Sequence, residues 1–252
     1  PTLTPCASID DVFRSVAAQA ADYGVVPVEN STEGAVGRTL DLLLNSPLQI
    51  CGEVNLPIHH NLMTKSGAMD KVSRVFSHAQ SLGQCQDWLN THCPTLERIP
   101  VSSNAEAARR AAEDETCAAI AGENAADLYG LRIVNAHIED DPSNTTRFLV
   151  IAHHDAAPSG RDKTSIVCSA QNRPGAVHDL LTPLARHAVS MTRFESRPSR
   201  GMGTAGSGQW EYVFYMDLLG HRLDAPLKAA LAELGACAGY VKELGSYPAG
   251  LD

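Results

Sequence analysis

Between residues 24 and 138 the chain alternates short apolar, strand-like runs with segments of helical period, and this order constrains the fold more than any other feature. Residues 24–28 read Gly-Val-Val-Pro-Val, a compact strand in which Pro27 favours an end or edge position. Ser31 or Thr32 can then cap a helix that buries Val36, Leu40, Leu43 and Leu44. Leu48, Ile50, Val54, Leu56 and Ile58 fall on alternate positions, which predicts a half-buried strand over 48–58. Further strands are predicted over 74–76, 96–101, 117–121 and 131–138. Between them lie a helix with Leu82, Cys85, Trp88 and Leu89 on one face, a helix over 104–112 capped near Ser103, and a helix over 124–129 closed by Gly130. At the start, Ser8 or Asp10 can cap a helix carrying Val12, Phe13, Val16 and Ala17. The pattern predicts an α/β architecture with largely parallel sheets.

Residues 153–162 hold Pro158, Ser159 and Gly160 without an apolar period, and read as a linker. Beyond it the predicted order is a strand (164–170), a helix (175–187), two strands (189–195 and 210–218) around a Gly-rich turn at 201–208, a helix (225–235) and a last strand (238–244). That is the βαββαβ order of a ferredoxin-like domain. The net charge of −9, without a Lys/Arg block, argues against nucleic acid as a partner. The seven cysteines are scattered and form no Cys-x-x-Cys pair, as in reduced, cytosol-like proteins. No apolar run approaches membrane-spanning length, and no signal peptide is evident.

Three polar clusters sit at the ends of predicted strands. The first is Glu29-Asn30-Ser31-Thr32-Glu33-Gly34, where a helix N-terminus would offer N–H groups to an anion; the plainer alternative is a capping Ser31 and a turn-forming Asn30. The second, Ser77-His78-Ala79-Gln80-Ser81-Leu82-Gly83-Gln84-Cys85, repeats that arrangement. In the third, residues 140–151, Pro142, Ser143 and Asn144 form a polar turn, Phe148 to Ile151 an apolar run, and Thr145, Thr146 and Arg147 lie between. This last stretch reads either as a hairpin turn with an exposed arginine or as part of a small-molecule site. The adjacent His59 and His60 point to opposite faces, and no metal motif has convincing spacing.

Taken together, these stretches resemble one family, the prephenate dehydratases with a C-terminal ACT regulatory domain. The resemblance is carried by residues 24–44, from Gly-Val-Val-Pro-Val-Glu-Asn-Ser to Thr39-Leu40-Asp41-Leu42-Leu43; by residues 77–85, with Ala79 where the family usually has Pro; and by the Thr-Arg-Phe of residues 146–148. Arg173-Pro174-Gly175-Ala176-Val177 and Glu195-Ser196-Arg197-Pro198 are similar to its phenylalanine-binding motifs. Some bacterial relatives also carry an N-terminal chorismate mutase domain. The family's first strand and Gly-rich loop precede the segment that begins here at Pro1, and reduced stability or activity is expected for the chain as it stands.

The resemblance implies a two-lobed, periplasmic-binding-protein-like catalytic domain over 1–153 (lobe one 1–57 and 136–153, lobe two 58–135), a linker over 154–162 and an ACT domain over 163–252. It implies Thr146, Asn30, Glu29, Ser77 and Gln84 as catalytic residues converging on an inter-lobe cleft, with Ser31, Arg147, Thr145 and Thr39 binding substrate. Asn172, Pro174, Gly175, Ala176, Val177, Glu195, Ser196, Arg197 and Pro198 would bind the allosteric inhibitor L-phenylalanine. Prephenate would lose CO2 and water to give phenylpyruvate, without metal or cofactor, in a cytoplasmic homodimer or homotetramer associated through both domains. Thr146 would assist departure of the hydroxyl, and Arg147 would pair with a carboxylate. Arogenate dehydration and non-catalytic amino-acid sensing are the alternative readings.

Overall fold

The computed structural model describes residues 2–170, 173–198 and 212–250. The chain divides into two compact units, Pro1–Leu56 with Thr146–Asp252, and Pro57–Thr145. The first unit opens with helix α1 (Ile9–Ala17), whose N-cap Ser8 accepts the Asp11 N–H at 3.2 Å and which buries Phe13 and Val16. Strand β1 (Gly24–Asn30), the short β2 (Gly34–Ala35), helix α2 (Gly37–Asn45) and strand β3 (Gln49–Pro57) follow. β1 folds back on β2 with Asn30 opposite Gly34, so α2 begins only at Gly37, with Val36 as N-cap. This corrects the expected cap at Ser31 or Thr32. Asn30 Oδ1 accepts the N–H groups of Thr32 and Glu33 at 3.0 and 3.2 Å, fixing a turn where a helix start was expected. The alternation expected in β3 also fails in its second half. Val54 and Leu56 are each 49% exposed, whereas Glu53 is buried, because the Glu53 carboxylate has cationic partners inside.

The second unit contains β4 (Asn61–Thr64), β5 (Arg74–His78), α3 (Ala79–Gln84), α4 (Gln86–His92), β6 (Glu97–Val101), α5 (Asn104–Glu113), β7 (Cys117–Ala121), α6 (Glu123–Tyr129) and β8 (Arg132–Asn135). The sheet order is β6-β5-β7-β4-β8. β5 is parallel to β6 and β7, but β4 runs antiparallel to β7 and β8, so the sheet is mixed and not largely parallel. The four-residue β4 is too short to show a period, and the sequence pattern gave no sign of it. Burial alternates along the strands: Met63, Phe76, Cys117 and Ala119 face one cluster, and Leu62, Val75, Ala118 and Ile120 the other. The helix predicted through Leu82 and Leu89 breaks at Cys85, and α4 restarts under the Asp140 carboxylate, which accepts the N–H groups of Asp87 and Trp88 at 2.9 Å each.

Strand β9 (Thr145–Ala152) returns the chain to the first unit, where the sheet order is β2-β1-β9-β3 and β9 is antiparallel to β1. The segment before the last domain is anchored: Ala156 N–H donates to Ser246 O and Ala249 N–H to Arg161 O. β10 (Asp162–Ser169), α7 (Ala176–Arg186), β11 (Met191–Pro198), β12 (Tyr212–Leu219), α8 (Ala225–Cys237) and β13 (Tyr240–Pro248) complete the chain. Their antiparallel sheet, ordered β11-β12-β10-β13, is the expected ferredoxin-like one. The Gly-rich turn expected at 201–208 lies outside the described residues.

Both faces of this sheet are covered. Ile166, Cys168, Phe214 and Met216 pack on Leu180, Leu184, Leu227 and Leu234 of the two helices. Val167, Val213, Tyr215, Leu244 and Tyr247 enter the same core as Val26, Val28, Leu40, Ile50 and Leu149. At about 1.5–3 kcal/mol per large apolar side chain, this shared core docks the domain firmly. Polar bonds fix the fit: Tyr215 OH donates to Leu40 O at 2.7 Å, and Lys242 Nζ donates to the carbonyls of Leu43, Leu44 and Ser46 at the end of α2. Gly245 lets β13 approach β3. It has φ 145°, and a Cβ there would collide with the Ile50 backbone. Gly245→Ala is therefore expected to lower unfolding free energy by about 2–5 kcal/mol. Gly235→Ala, in α8 with open space around it, is expected to change stability by about +0.5–1 kcal/mol. Denaturant unfolding of both variants checks the contrast.

Candidate active site

The site-bearing strands β1 and β9 pair antiparallel, with Asn30 opposite Thr146 and Glu29 opposite Arg147. Cross-strand partners share a face, so the two pairs project from opposite sides of the sheet. An irregularity between Pro27 and Glu29 inserts Val28 and resets the alternation. On one face, Asn30 Nδ2 donates to Thr146 Oγ1 at 2.9 Å. The amide orientation is fixed, because Asn30 Oδ1 already accepts from Thr32 N–H, Glu33 N–H and the Thr32 hydroxyl. Thr146 Oγ1 is thus an acceptor on the Asn30 side, and its own proton is left for donation elsewhere. Asn30 is 8% exposed and Thr146 half-buried.

Arg147 lies on the other face, and the carboxylate-binding role expected of it does not fit its placement. Its Nε donates to Glu53 Oε2 at 2.7 Å, Nη1 to Asp217 Oδ2 at 2.5 Å and Nη2 to Tyr247 OH at 3.0 Å. Tyr247 OH lies 2.6 Å from Ser165 Oγ, and Ser165 Oγ donates to Asp217 Oδ1 at 2.6 Å. With Ser165 donating to Asp217, the Tyr247 proton goes to Ser165, and the hydrogen bonds close into a ring through Arg147, Tyr247, Ser165 and Asp217. Burial alone would lower the Arg147 pKa, but Asp217, Tyr247 and Glu53 outweigh it and hold it above the usual arginine range. Burial raises the Tyr247 phenol. Glu53 also accepts from Lys163 Nζ and Gly250 N–H, each at 2.7 Å. Glu29 stands 3.9 Å from Arg147 Nη1 but 3.1 Å from Arg193 Nε of β11.

The remaining predicted residues of this unit divide. Ser31 is exposed on the turn. Thr39 is fully buried and donates to Pro27 O at 2.6 Å, tying α2 to β1 instead of facing a ligand. In the second unit, Thr145 donates to Ser143 O at 3.1 Å. Ser77 is fully buried, its hydroxyl within 2.9 Å of Asn104 Oδ1 and 2.7 Å of Ile120 O. Asn104 also accepts the His78 N–H and donates to Ser81 Oγ, so it organises the start of α3. Gln84 Oε1 accepts from His60 Nε2 at 2.7 Å and from Asn144 Nδ2 at 3.2 Å. This assigns the His60 proton to Nε2 and leaves His60 Nδ1 buried without a partner among the described residues. Asn104, His60 and Asn144 were missed in the sequence; the repeated strand-to-helix polar clusters were the available signal for Asn104 alone.

His59, His137 and Glu139 bring three possible ligand atoms within 4.8 Å of one another. The two imidazoles are stacked, with centroids 4.1 Å apart and planes 3° from parallel. Lone pairs lying in parallel ring planes do not converge on one ion. Glu139 is instead committed to His59 Nδ1 at 2.7 Å and His60 N–H at 2.8 Å. Burial would raise its pKa, and these bonds hold it below the usual carboxylate range.

Of the residues expected to bind phenylalanine, Asn172 lies outside the described residues. Gly175, with φ 79°, is the N-cap of α7, followed by Ala176 and the exposed Val177; Pro174 is also exposed. Ser169 and Arg197 both lie opposite Val213, so the loop leaving β10 and the end of β11 emerge at the same end of the sheet. Along β11, Arg193, Glu195 and Arg197 are half-buried while Phe194, Ser196 and Pro198 are exposed. Arg193 reaches Glu29, and Arg197 reaches Asp41 at 3.3 Å beside Gly37. The expected phenylalanine motif thus doubles as a docking strip.

Fold and site define an α/β catalytic region of periplasmic-binding-protein type joined to a ferredoxin-like module. The Prephenate dehydratase family model matches residues 2–156, and the ACT domain model residues 164–236. The chain belongs to the prephenate dehydratase family. It is 57% identical over 246 residues to the bifunctional chorismate mutase/prephenate dehydratase of Neisseria gonorrhoeae, covering 96% of this chain and 66% of that protein. Among solved structures, a prephenate dehydratase from Arthrobacter aurescens in complex with L-Phe matches with TM-score 0.85 and 33% identity, over 97% of this chain and 80% of that one. A quorum-quenching acylase, GqqA, matches with TM-score 0.85 and 30% identity, over 98% and 89%. No helix among the described residues is long and apolar enough to cross a membrane.

Glu53 provides a test of the ring. Burial pushes its pKa up, but Arg147, Lys163 and the Gly250 N–H together hold it below the usual carboxylate value. Its stabilisation is therefore present above the unfolded pKa of about 4.3 and is lost as pH falls through the lower folded value. Glu53→Gln is expected to cost about 3–5 kcal/mol at pH 7, because Arg147 loses a buried partner. The gap between variant and parent should narrow as denaturant unfolding is repeated at progressively lower pH.

Proposed function

We propose that this chain is the dehydratase and regulatory portion of an enzyme that converts prephenate to phenylpyruvate. The proposed division is a catalytic domain over 1–153, a linker over 154–162 and a regulatory domain over 163–252. Prephenate dianion plus one proton gives phenylpyruvate, CO2 and water; aromatisation of the ring drives the loss. The difficulty is the departing hydroxyl, on which negative charge develops. A donor aimed at that oxygen stabilises the transition state, at a scale of about 3–4 kcal/mol for a well-placed neutral donor.

The observation that carries this reading is the Asn30–Thr146 pair. Asn30 holds the Thr146 oxygen from one side, so the threonine proton points to a different acceptor. A threonine hydroxyl is too weak an acid to give up its proton outright, so it acts through a hydrogen bond that strengthens as the C–O bond breaks. Ser31 and Gln84 are the proposed neutral contacts to the substrate, whereas Thr145, next to Thr146 on β9, faces the other way and donates to Ser143 O. Neutral donors suit the departing carboxylate, because tight ion pairing would oppose decarboxylation. Ser77, Asn104 and Thr39 are assigned positioning roles, in keeping with their burial.

L-phenylalanine is the proposed inhibitor, bound at residues 172–177 and 195–198; the phenylalanine complex of the Arthrobacter aurescens relative supports this. The proposed assembly is a cytoplasmic homodimer or homotetramer, and arogenate is a slower substrate. A chorismate mutase domain in the same protein is supported by the Neisseria gonorrhoeae relative. Thr146→Ala is expected to lower kcat on prephenate about 100–1000-fold with KM changed less than about threefold. Thr146→Ser, which keeps the hydroxyl, should retain most of the turnover. Equal kcat for Thr146→Ala and the parent would remove Thr146 from the chemistry.

A further inference from the structure

Thr146 and Arg147 are consecutive residues on one strand, so whatever fixes Arg147 also fixes the backbone that presents Thr146. Two of the three groups that accept from Arg147, Asp217 and Tyr247, belong to the regulatory sheet. A second contact repeats this on the neighbouring strand. Arg193 of β11 places Nε 3.1 Å from Glu29 Oε2, and Glu29 immediately precedes Asn30. The Arg193 side chain is only 10% exposed, and among the described residues its Nη2 is buried without a partner. A guanidinium held there has given up solvent for a carboxylate contact, which makes that contact sensitive to small shifts of β11.

We propose that Arg193 and Asp217 are positioning residues for catalysis: they set Glu29 and Arg147 from the regulatory side, and through β1 and β9 they register Asn30 against Thr146. Ligand binding on β11 then reaches the reaction by displacing Arg193, which lies two residues before Glu195 on the same face of the strand. The inference rests on the dehydratase reading for its catalytic readout. The element transmitting the change is physical: two paired strands whose opposite faces carry the regulatory contacts and the donor pair. A displacement of about 1 Å at a reacting donor is enough to cost up to about 100-fold in rate.

The test uses Arg193→Gln in the full chain. The expected result is a kcat on prephenate lowered about tenfold with KM within about twofold, since positioning and not substrate binding is lost. Calorimetry should give the parental Kd for phenylalanine, while saturating phenylalanine suppresses the remaining turnover less than about twofold. Arg193→Lys, which keeps a cation beside Glu29, should recover part of both responses. Independently of activity, the amides of residues 28–30 and 146–148 should exchange hydrogen about tenfold faster in Arg193→Gln. Parental kcat, parental inhibition or unchanged exchange at these amides would each overturn the inference. So would loss of inhibition together with loss of phenylalanine binding, which would place Arg193 in the ligand site. If Arg193→Gln does not fold, Asp217→Asn, whose one amide oxygen still accepts from Arg147 while its NH2 group turns to the Ser165 hydroxyl, is read by the same measurements and the same criteria. A parent protein that folds but leaves prephenate intact rejects the dehydratase reading alone; the exchange measurement still decides this one.

Discussion

The guanidinium of Arg147 is the group on which the first unit is built. It sits 13% exposed among Glu53 of β3, Asp217 of β12 and Tyr247 of β13, and each of its three nitrogens has an acceptor. A buried charge is costly unless every partner is in place, and removing one leaves the others unpaired. The catalytic sheet and the ferredoxin-like sheet therefore cannot separate without stranding ions. The apolar core between them supplies the larger favourable energy, since Val167, Tyr215 and Tyr247 pack with Val28, Leu40 and Leu149. The ring supplies the register in which that core closes. Gly245 fits the same picture, because only a residue without Cβ lets β13 lie against Ile50.

From this constraint follows a division of labour along β9. A strand turns consecutive side chains to opposite faces, so Thr-Arg serves two purposes in two residues. Thr146 pairs with Asn30 on one face, and Arg147 joins the regulatory sheet on the other. The same split occurs on β1, where Asn30 serves Thr146 and Glu29 meets Arg193. The ferredoxin-like domain is docked by charged groups to the two strands that carry Asn30 and Thr146.

Much of the architecture was legible because it rests on short-range rules. The helix caps at Ser8 and Ser103 and the left-handed Gly130 follow from side-chain chemistry, and all three are found. The βαββαβ order was legible from alternation and helical period. What stayed hidden depends on long-range partners. Glu53 is an acid on a strand whose apolar residues suggested the opposite face, and only Arg147 and Lys163, distant in sequence, explain its burial. Thr39 and Ser77 look like ligand groups in a motif, yet a hydroxyl satisfies a buried carbonyl equally well. Ser31 and Thr32 have the composition of a helix cap, but Asn30 takes the turn first. Arg147, beside Thr146 on a strand, leaves by the other face, where Glu53, Asp217 and Tyr247 accept from it.

The deciding measurement follows phenylpyruvate from prephenate, and turnover of arogenate by the same folded preparation, as phenylalanine is titrated. Phenylpyruvate should form from prephenate, at a rate that falls as phenylalanine is added. Arogenate should turn over more slowly than prephenate. A folded protein that makes no phenylpyruvate from prephenate, or makes it at the same rate under saturating phenylalanine, would contradict the account.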